Sequence, residues 1–172
     1  LFGIQTCFAL IADVLSAGAA HPNSAAVVRN WSRLSHAGLV GLLRRLSSGK
    51  LLAERGVHGA VSAFDLDWYV ESLDADGIES LRALLVSVAD RWTDVDAAGA
   101  LLDPISGIYT ALLPRNLLHV FGEVYTPGWL AELALEDSGW RPGQRLIDPF
   151  GGGGVFALAA LRVAARSGHD PL

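Results

Sequence analysis

Arg145-Leu-Ile-Asp-Pro-Phe-Gly-Gly-Gly-Gly-Val-Phe156 is the stretch whose reading decides the fold. Arg145–Ile147 is a short, mostly apolar run and reads as a strand. Asp148-Pro149 ends it, because proline offers no N–H to a ladder and restricts the residue before it. Gly151–Gly154 then let the backbone approach whatever sits above the strand's carboxyl end. Four consecutive glycines carry an entropy cost that a plain turn does not require. Phe156–Arg162 continues as a helix. In an open α/β sheet, a ligand binds at such a place, at the end of a strand beside a helix N-terminus.

Several ligands use glycine loops. A phosphate loop needs a Lys and a Ser or Thr after the glycines, and here Val155 and Phe156 follow. A dinucleotide fingerprint is nominally present as Gly152-x-Gly154-x-x-Ala157, a weak signal alone. The Asp148-Pro149 step ahead of the glycines points elsewhere. Asp148–Phe156 has the form D-P-x-x-G-x-G-x-F, and Gly122-Glu-Val-Tyr125-Thr126-Pro127-Gly-Trp129 lies just upstream. Together they resemble the G-E-x-Y-T-P segment and S-adenosylmethionine loop of the N6-adenine DNA methyltransferases of type I and type IIG restriction–modification and related phage-defence systems. Asp103–Tyr109 and Leu113–Asn116 resemble the run-in to that segment. The likeness covers Asp103–Arg162 well and the first hundred residues loosely.

The resemblance implies S-adenosylmethionine as cofactor. Asp148 and the backbone of Gly152 and Gly154 would face its methionine part, in a loop that includes Pro149 and Phe150. Phe156 would pack behind it. Tyr125, Thr126 and Pro127 would form the rim, with the Thr126 hydroxyl closing over the methionine end. Thr-Pro is also a plain helix start wherever it occurs. The sequence departs from the commonest family pattern at Phe150-Gly151, where a small residue and often Cys occur, and at Gly153 and Val155, where Ser and Thr are frequent. Lost hydroxyls would weaken cofactor contacts.

The family's catalytic loop, Asn/Asp-Pro-Pro-aromatic, accepts from the target amine and stacks on the flipped base. Asp103-Pro104, Asp148-Pro149 and Asp170-Pro171 each lack the second proline. The acid expected roughly 20 residues after the loop, which holds the ribose hydroxyls, would fall beyond Leu172. Leu1 in first place, the absence of any methionine and the stop one helix past the loop read as a fragment. The expectation is therefore the N-terminal part of a methyltransferase, inactive by itself. Its DNA substrate would be reached through the full-length protein, in company with a specificity or restriction subunit. The alternatives are another Rossmann-type enzyme using NAD or FAD, and a helical interaction module without catalysis.

The rest of the 172 residues reads as helix and loop. Phe2–Ala17 reads as a helix, with Asn23 or Ser24 capping a second, long one over Ala25–Leu46. Lys50–Arg55 reads as a short helical piece and Gly56–Ala63 as a loop. Phe64–Leu73 allows strand by residue type and short helix by context, and is read as helix. Asp76-Gly77 punctuates before an amphipathic helix carrying Ile78, Leu81, Leu84, Leu85, Val88 and Trp92 on one side. Asp103-Pro104 starts a helix Ile105–Leu113, and Thr126-Pro127 another, Gly128–Asp137, closed by Gly139. The fold class expected is a mainly α N-terminal domain, residues 1–120, followed by the opening β-α unit of a Rossmann-like, doubly wound α/β methyltransferase domain, residues 121–172.

A hydrophobic fraction of 51% suffices for a real core. The apolar stretch Phe8–Ala20 is interrupted by Asp13 and lacks a signal-peptide pattern. A soluble cytoplasmic protein without a membrane span is expected. The net charge of −5 argues that this part is not the main DNA-gripping surface. Arg29, Arg33, Arg44, Arg45, Lys50 and Arg55 form the one basic concentration, read as a solvated face. Cys7 reads as a small buried side chain, and Trp31, Trp68 and Trp92 as core anchors. No histidine pair has metal-ligand spacing, so no zinc site is expected.

Overall fold

The computed structural model of the chain describes residues 2–59, 61, 67–92, 107–108, 111–112 and 126–169. The chain divides into two compact units, Leu1–Ala97 and Ala98–Leu172. The residues around the expected boundary at 120 lie outside those described.

The first unit contains α1 (Phe2–Ala19), α2 (Ser24–Trp31), α3 (His36–Ser47), α4 (Lys50–Ala53) and α5 (Ala75–Asp90). α1 packs on α2, α3 and α4, α2 packs on α5, and α3 on α4. The stripes follow from sequence spacing. Leu39, Leu42, Leu43 and Leu46 recur at three- and four-residue steps and are all buried, as are Ile78, Leu81, Leu85 and Ala89. Trp92, 2% exposed, closes the core. Gly18 is what admits it. A Cβ at Gly18 would lie 2.7 Å from Trp92 Cη2 and 2.9 Å from Val28 Cγ2.

The single helix expected over Ala25–Leu46 is broken at Ser32–Ser35. Ser32 turns its hydroxyl onto the Arg29 carbonyl, and its own carbonyl accepts from Arg82. Ser35 takes an extended backbone and accepts from Gly38 N at 3.1 Å, starting α3 afresh. Serine side chains compete with the helix in this way. The start of α5 also moves. Asp74 is the cap, accepting from Gly77 N at 2.8 Å, so Asp76-Gly77 lies inside the first turn. Phe64–Leu66 lie outside the described residues; Asp67 is in a 3-10 turn and Trp68–Ser72 form turns. Trp92 is a core anchor, whereas Trp68 is 55% exposed and Cys7 is exposed, not buried.

α1 has 18 residues with a mean hydropathy of 1.5, enough by length and composition to cross a bilayer. Its one carboxylate, Asp13, lies half-buried, and burial pushes it up to about 6 from an ordinary 3.8. The folded state therefore holds the proton more tightly than the unfolded chain. That contribution is complete below pH 3.8 and lost as pH rises through about 6. Partial exposure screens much of the cost, leaving about 1 kcal/mol. Asp13→Asn is expected to raise the thermal midpoint by roughly 4–8 °C at pH 8 and by nothing at pH 3.5. Differential scanning calorimetry at the two pH values checks this; an equal shift at both contradicts it. His21 behaves oppositely: burial and the Arg55 guanidinium, which donates to its Nδ1 at 2.6 Å, hold it below the usual imidazole value.

The second unit is built on α6 (Gly128–Asp137) and α7 (Val155–Arg166), which pack together. Ala131, Leu135, Ala159 and Ala160 form the contact, with Trp140, Val155 and Phe156 against it. Gly139, at φ +74°, ends α6, and its N–H donates to the Glu136 carbonyl. Gly107-Ile108 and Ala111-Leu112 are helical, and the rest of the Ile105–Leu113 helix lies outside the described residues.

The expected strand at Arg145–Ile147 is not formed, and no strand occurs among the described residues, which are helices and turns. Among the described residues the expected Rossmann-like opening unit is thereby overturned. The reason is physical. A strand is stabilised by a neighbour's backbone groups, and among the described residues no backbone hydrogen bond reaches Arg145–Ile147. Ile147 is 84% exposed, so its burial does not hold an extended conformation either.

Candidate functional site

The glycine loop is built from three local devices. Pro142-Gly143 makes a turn, with Gly143 at φ +90°, in which Gln144 N donates to the Arg141 carbonyl and Gln144 Oε1 accepts from Arg141 N. Asp148 Oδ1 accepts from Phe150 N at 3.2 Å, an Asx turn that bends the chain at Pro149. Gly154 N then donates to the Gly151 carbonyl at 2.7 Å, and α7 begins at Val155. Gly152 and Gly154 take φ +49° and +78°, where an L side chain is strained. No atom lies within 4 Å of a Cβ at Gly154, so its backbone conformation, not crowding, requires glycine.

Gly154 is the N-cap of α7 and has no side chain to cap with. The first helical bond runs from Leu158 N to the Gly154 carbonyl. Among the described residues nothing accepts from the N–H groups of Val155, Phe156 and Ala157. Three donors at the positive end of a helix therefore stand together above an open loop. That arrangement suits an anionic group such as a carboxylate.

Of the residues singled out in the sequence, the structure gathers Asp148, Pro149, Phe150, Gly152 and Gly154 into this loop. Phe150 is 92% exposed. Phe156 packs on the α6–α7 contact, behind the loop. Tyr125 lies outside the described residues. Pro127 is the N-cap of α6, with backbone φ −60° and ψ 142°, and Thr126 precedes it without capping. Gly128 is tucked against Arg162, whose Nη1 would lie 2.8 Å from a Cβ there. Arg162 is seven residues into α7, about 10 Å along its axis from Val155. Gly128, next to Thr126-Pro127, thus lies within reach of the Arg162 side chain, and among the described residues no hydrogen bond joins Thr126 or Pro127 to the loop.

Glu132, which the sequence did not single out, joins α6 to α7. Its carboxylate pairs with Arg166 and, at 3.5 Å, with Arg162. The hydrogen bond from Arg166 holds Glu132 below the usual carboxylate range, against the opposing effect of burial, with Arg162 adding to the lowering. Glu132→Gln is expected to cost about 1 kcal/mol, since it removes the carboxylate charge that Arg162 and Arg166 share across the α6–α7 contact. Chemical denaturation followed by circular dichroism measures this, and an unchanged midpoint contradicts it. Only the spacing of Arg162 and Arg166, one turn apart, hinted at the network.

The basic concentration of the first unit is mostly spent on internal pairs. Arg29 meets Asp90 at 2.5 Å, Arg44 grips Glu71 with two bonds, Arg45 meets Glu54 at 2.6 Å and Arg55 meets His21. Guanidinium groups already paired with carboxylates contribute little free charge toward nucleic-acid phosphates.

The chain matches no protein-family model, no curated protein and no solved structure.

Proposed function

We propose that this chain is the N-terminal part of an S-adenosylmethionine-dependent DNA adenine-N6 methyltransferase of a restriction–modification or phage-defence system. It acts in the cytoplasm, reaches duplex DNA through the full-length protein and works with a specificity or restriction subunit. The observation that carries the reading is the uncapped start of α7 behind Asp148–Gly154. The N–H groups of Val155, Phe156 and Ala157 would hold the methionine carboxylate, and the Gly152 and Gly154 backbone leaves room for its approach. The cofactor supplies the electrophilic methyl group. The loop's contribution is to bind and orient it. The reading does not require a strand at Arg145–Ile147.

Titration calorimetry on the protein that carries this chain tests the proposal. Binding of S-adenosylmethionine, with none of NAD or FAD and with tritiated-methyl transfer to adenine-containing duplex, supports it. Binding of a dinucleotide instead refutes it. A second reading, a helical interaction module without catalysis, is favoured by the purely helical architecture of the described residues. It predicts no cofactor binding.

A further inference from the structure

Asp13 is a half-buried carboxylate with no hydrogen bond or ion pair among the described residues. Phe2, Thr6 and Asp13 share one face of α1, at steps of four and seven residues. The Asp67–Val70 turn lies against this face. Trp68 Nε1 donates to Thr6 Oγ1 at 3.3 Å, and the Trp68 ring stacks on Phe2 with centroids 5.8 Å apart. Tyr69 meets Trp68 edge-on at 6.1 Å. Burial, and then the neighbouring Asp13 and Asp67 carboxylates, push the Tyr69 hydroxyl up to about 12. Among the described residues no Arg, Lys or His side chain pairs with Asp13 or Tyr69. Both stacked rings are open to solvent, Trp68 at 55% and Phe2 at 53%.

We propose that this face of α1, with the Trp68-Tyr69 turn, docks a basic, arginine-bearing polypeptide segment. Its aromatic surface and carboxylates are complementary to such a partner. A guanidinium stacks on an open indole face, and its apolar stem covers the ring beside it. A second basic side chain meets Asp13 and compensates the charge that the free protein leaves unpaired. The spacing selects a chain segment over a single ammonium group. Phe2 and Asp13 lie 11 residues apart on α1, about 16 Å, which is roughly five residues of extended polypeptide. The surface is independent of the cofactor reading, because it belongs wholly to the 1–97 unit.

Fluorescence anisotropy of a labelled pentapeptide alternating arginine and glycine, with the intact chain, tests the proposal. A glutamate–glycine pentapeptide and phosphatidylcholine vesicles are the controls. Saturable binding of the arginine peptide is expected, weakened about tenfold by Asp13→Asn and about tenfold by Trp68→Ala. Circular dichroism establishes that each variant is folded. Asp67→Asn, at the exposed turn, gives a milder loss and serves if either variant fails to fold. Affinity unchanged in the folded variants, equal binding of the glutamate peptide, or binding of the vesicles in place of the peptide would each overturn it.

Discussion

Replacing Trp92 with alanine is expected to cost the 1–97 unit about 3–5 kcal/mol, much of the stability that a domain of this size has. The side chain is almost fully buried and lies against Gly18 and Val28. Truncation removes a large apolar surface and leaves a cavity that helices α1, α2 and α5 cannot fill without moving. The contact can be approached from the other side. Gly18→Ala brings a methyl group inside the van der Waals radius of the Trp92 ring and should cost about 1–3 kcal/mol by overpacking. The two substitutions should be non-additive, because the space lost by one is space gained by the other. Urea denaturation of the single and double variants measures all three. A Trp92→Ala midpoint within error of the parent's would show that the core has been misplaced.

The second large effect concerns the loop. Gly152→Val puts a β-branched residue at φ +49°, a region that L residues avoid, and pushes a side chain into the space above the loop. Loss of S-adenosylmethionine affinity by about 100-fold or more is expected in the protein that carries this chain. Asp148→Ala acts without backbone strain, by removing the carboxylate that accepts from Phe150 N and sets the turn. It should also weaken binding, while leaving the α6–α7 contact intact. Far-UV circular dichroism separates the two causes. If both variants retain full affinity and helix content, the loop does not hold the cofactor.

What the sequence made legible was local chemistry. The Gly128–Asp137 bounds of α6 and its Gly139 stop depend on residues within a turn of each end and were legible, although Pro127, not Thr126, is the cap. The apolar stripe of α5 was equally visible. The break at Ser32–Ser35 was not, because the apolar spacing continues through it and only the serine hydrogen bonds interrupt the helix. The strand at Arg145–Ile147 was read from residue type and from the proline behind it, whereas a strand depends on a partner that residue type does not supply. Pairing between distant residues was hidden too. Glu132 meets Arg166 across 34 positions, and Trp68 reaches Thr6 across 62. At the loop, four glycines announced an unusual backbone, yet only the structure shows that Gly152 and Gly154 take left-handed geometry and that the start of α7 carries three uncommitted donors.

The central claim, that this loop and helix start hold S-adenosylmethionine, is tested most directly by ultraviolet crosslinking. The protein that carries this chain is irradiated with methyl-tritiated S-adenosylmethionine, and the labelled peptides are identified by mass spectrometry. The account predicts label within Asp148–Phe156, saturable, competed by unlabelled cofactor but not by NAD, and absent from the Gly152→Val variant. Competable label confined to other segments, with undiminished labelling of Gly152→Val, would contradict it.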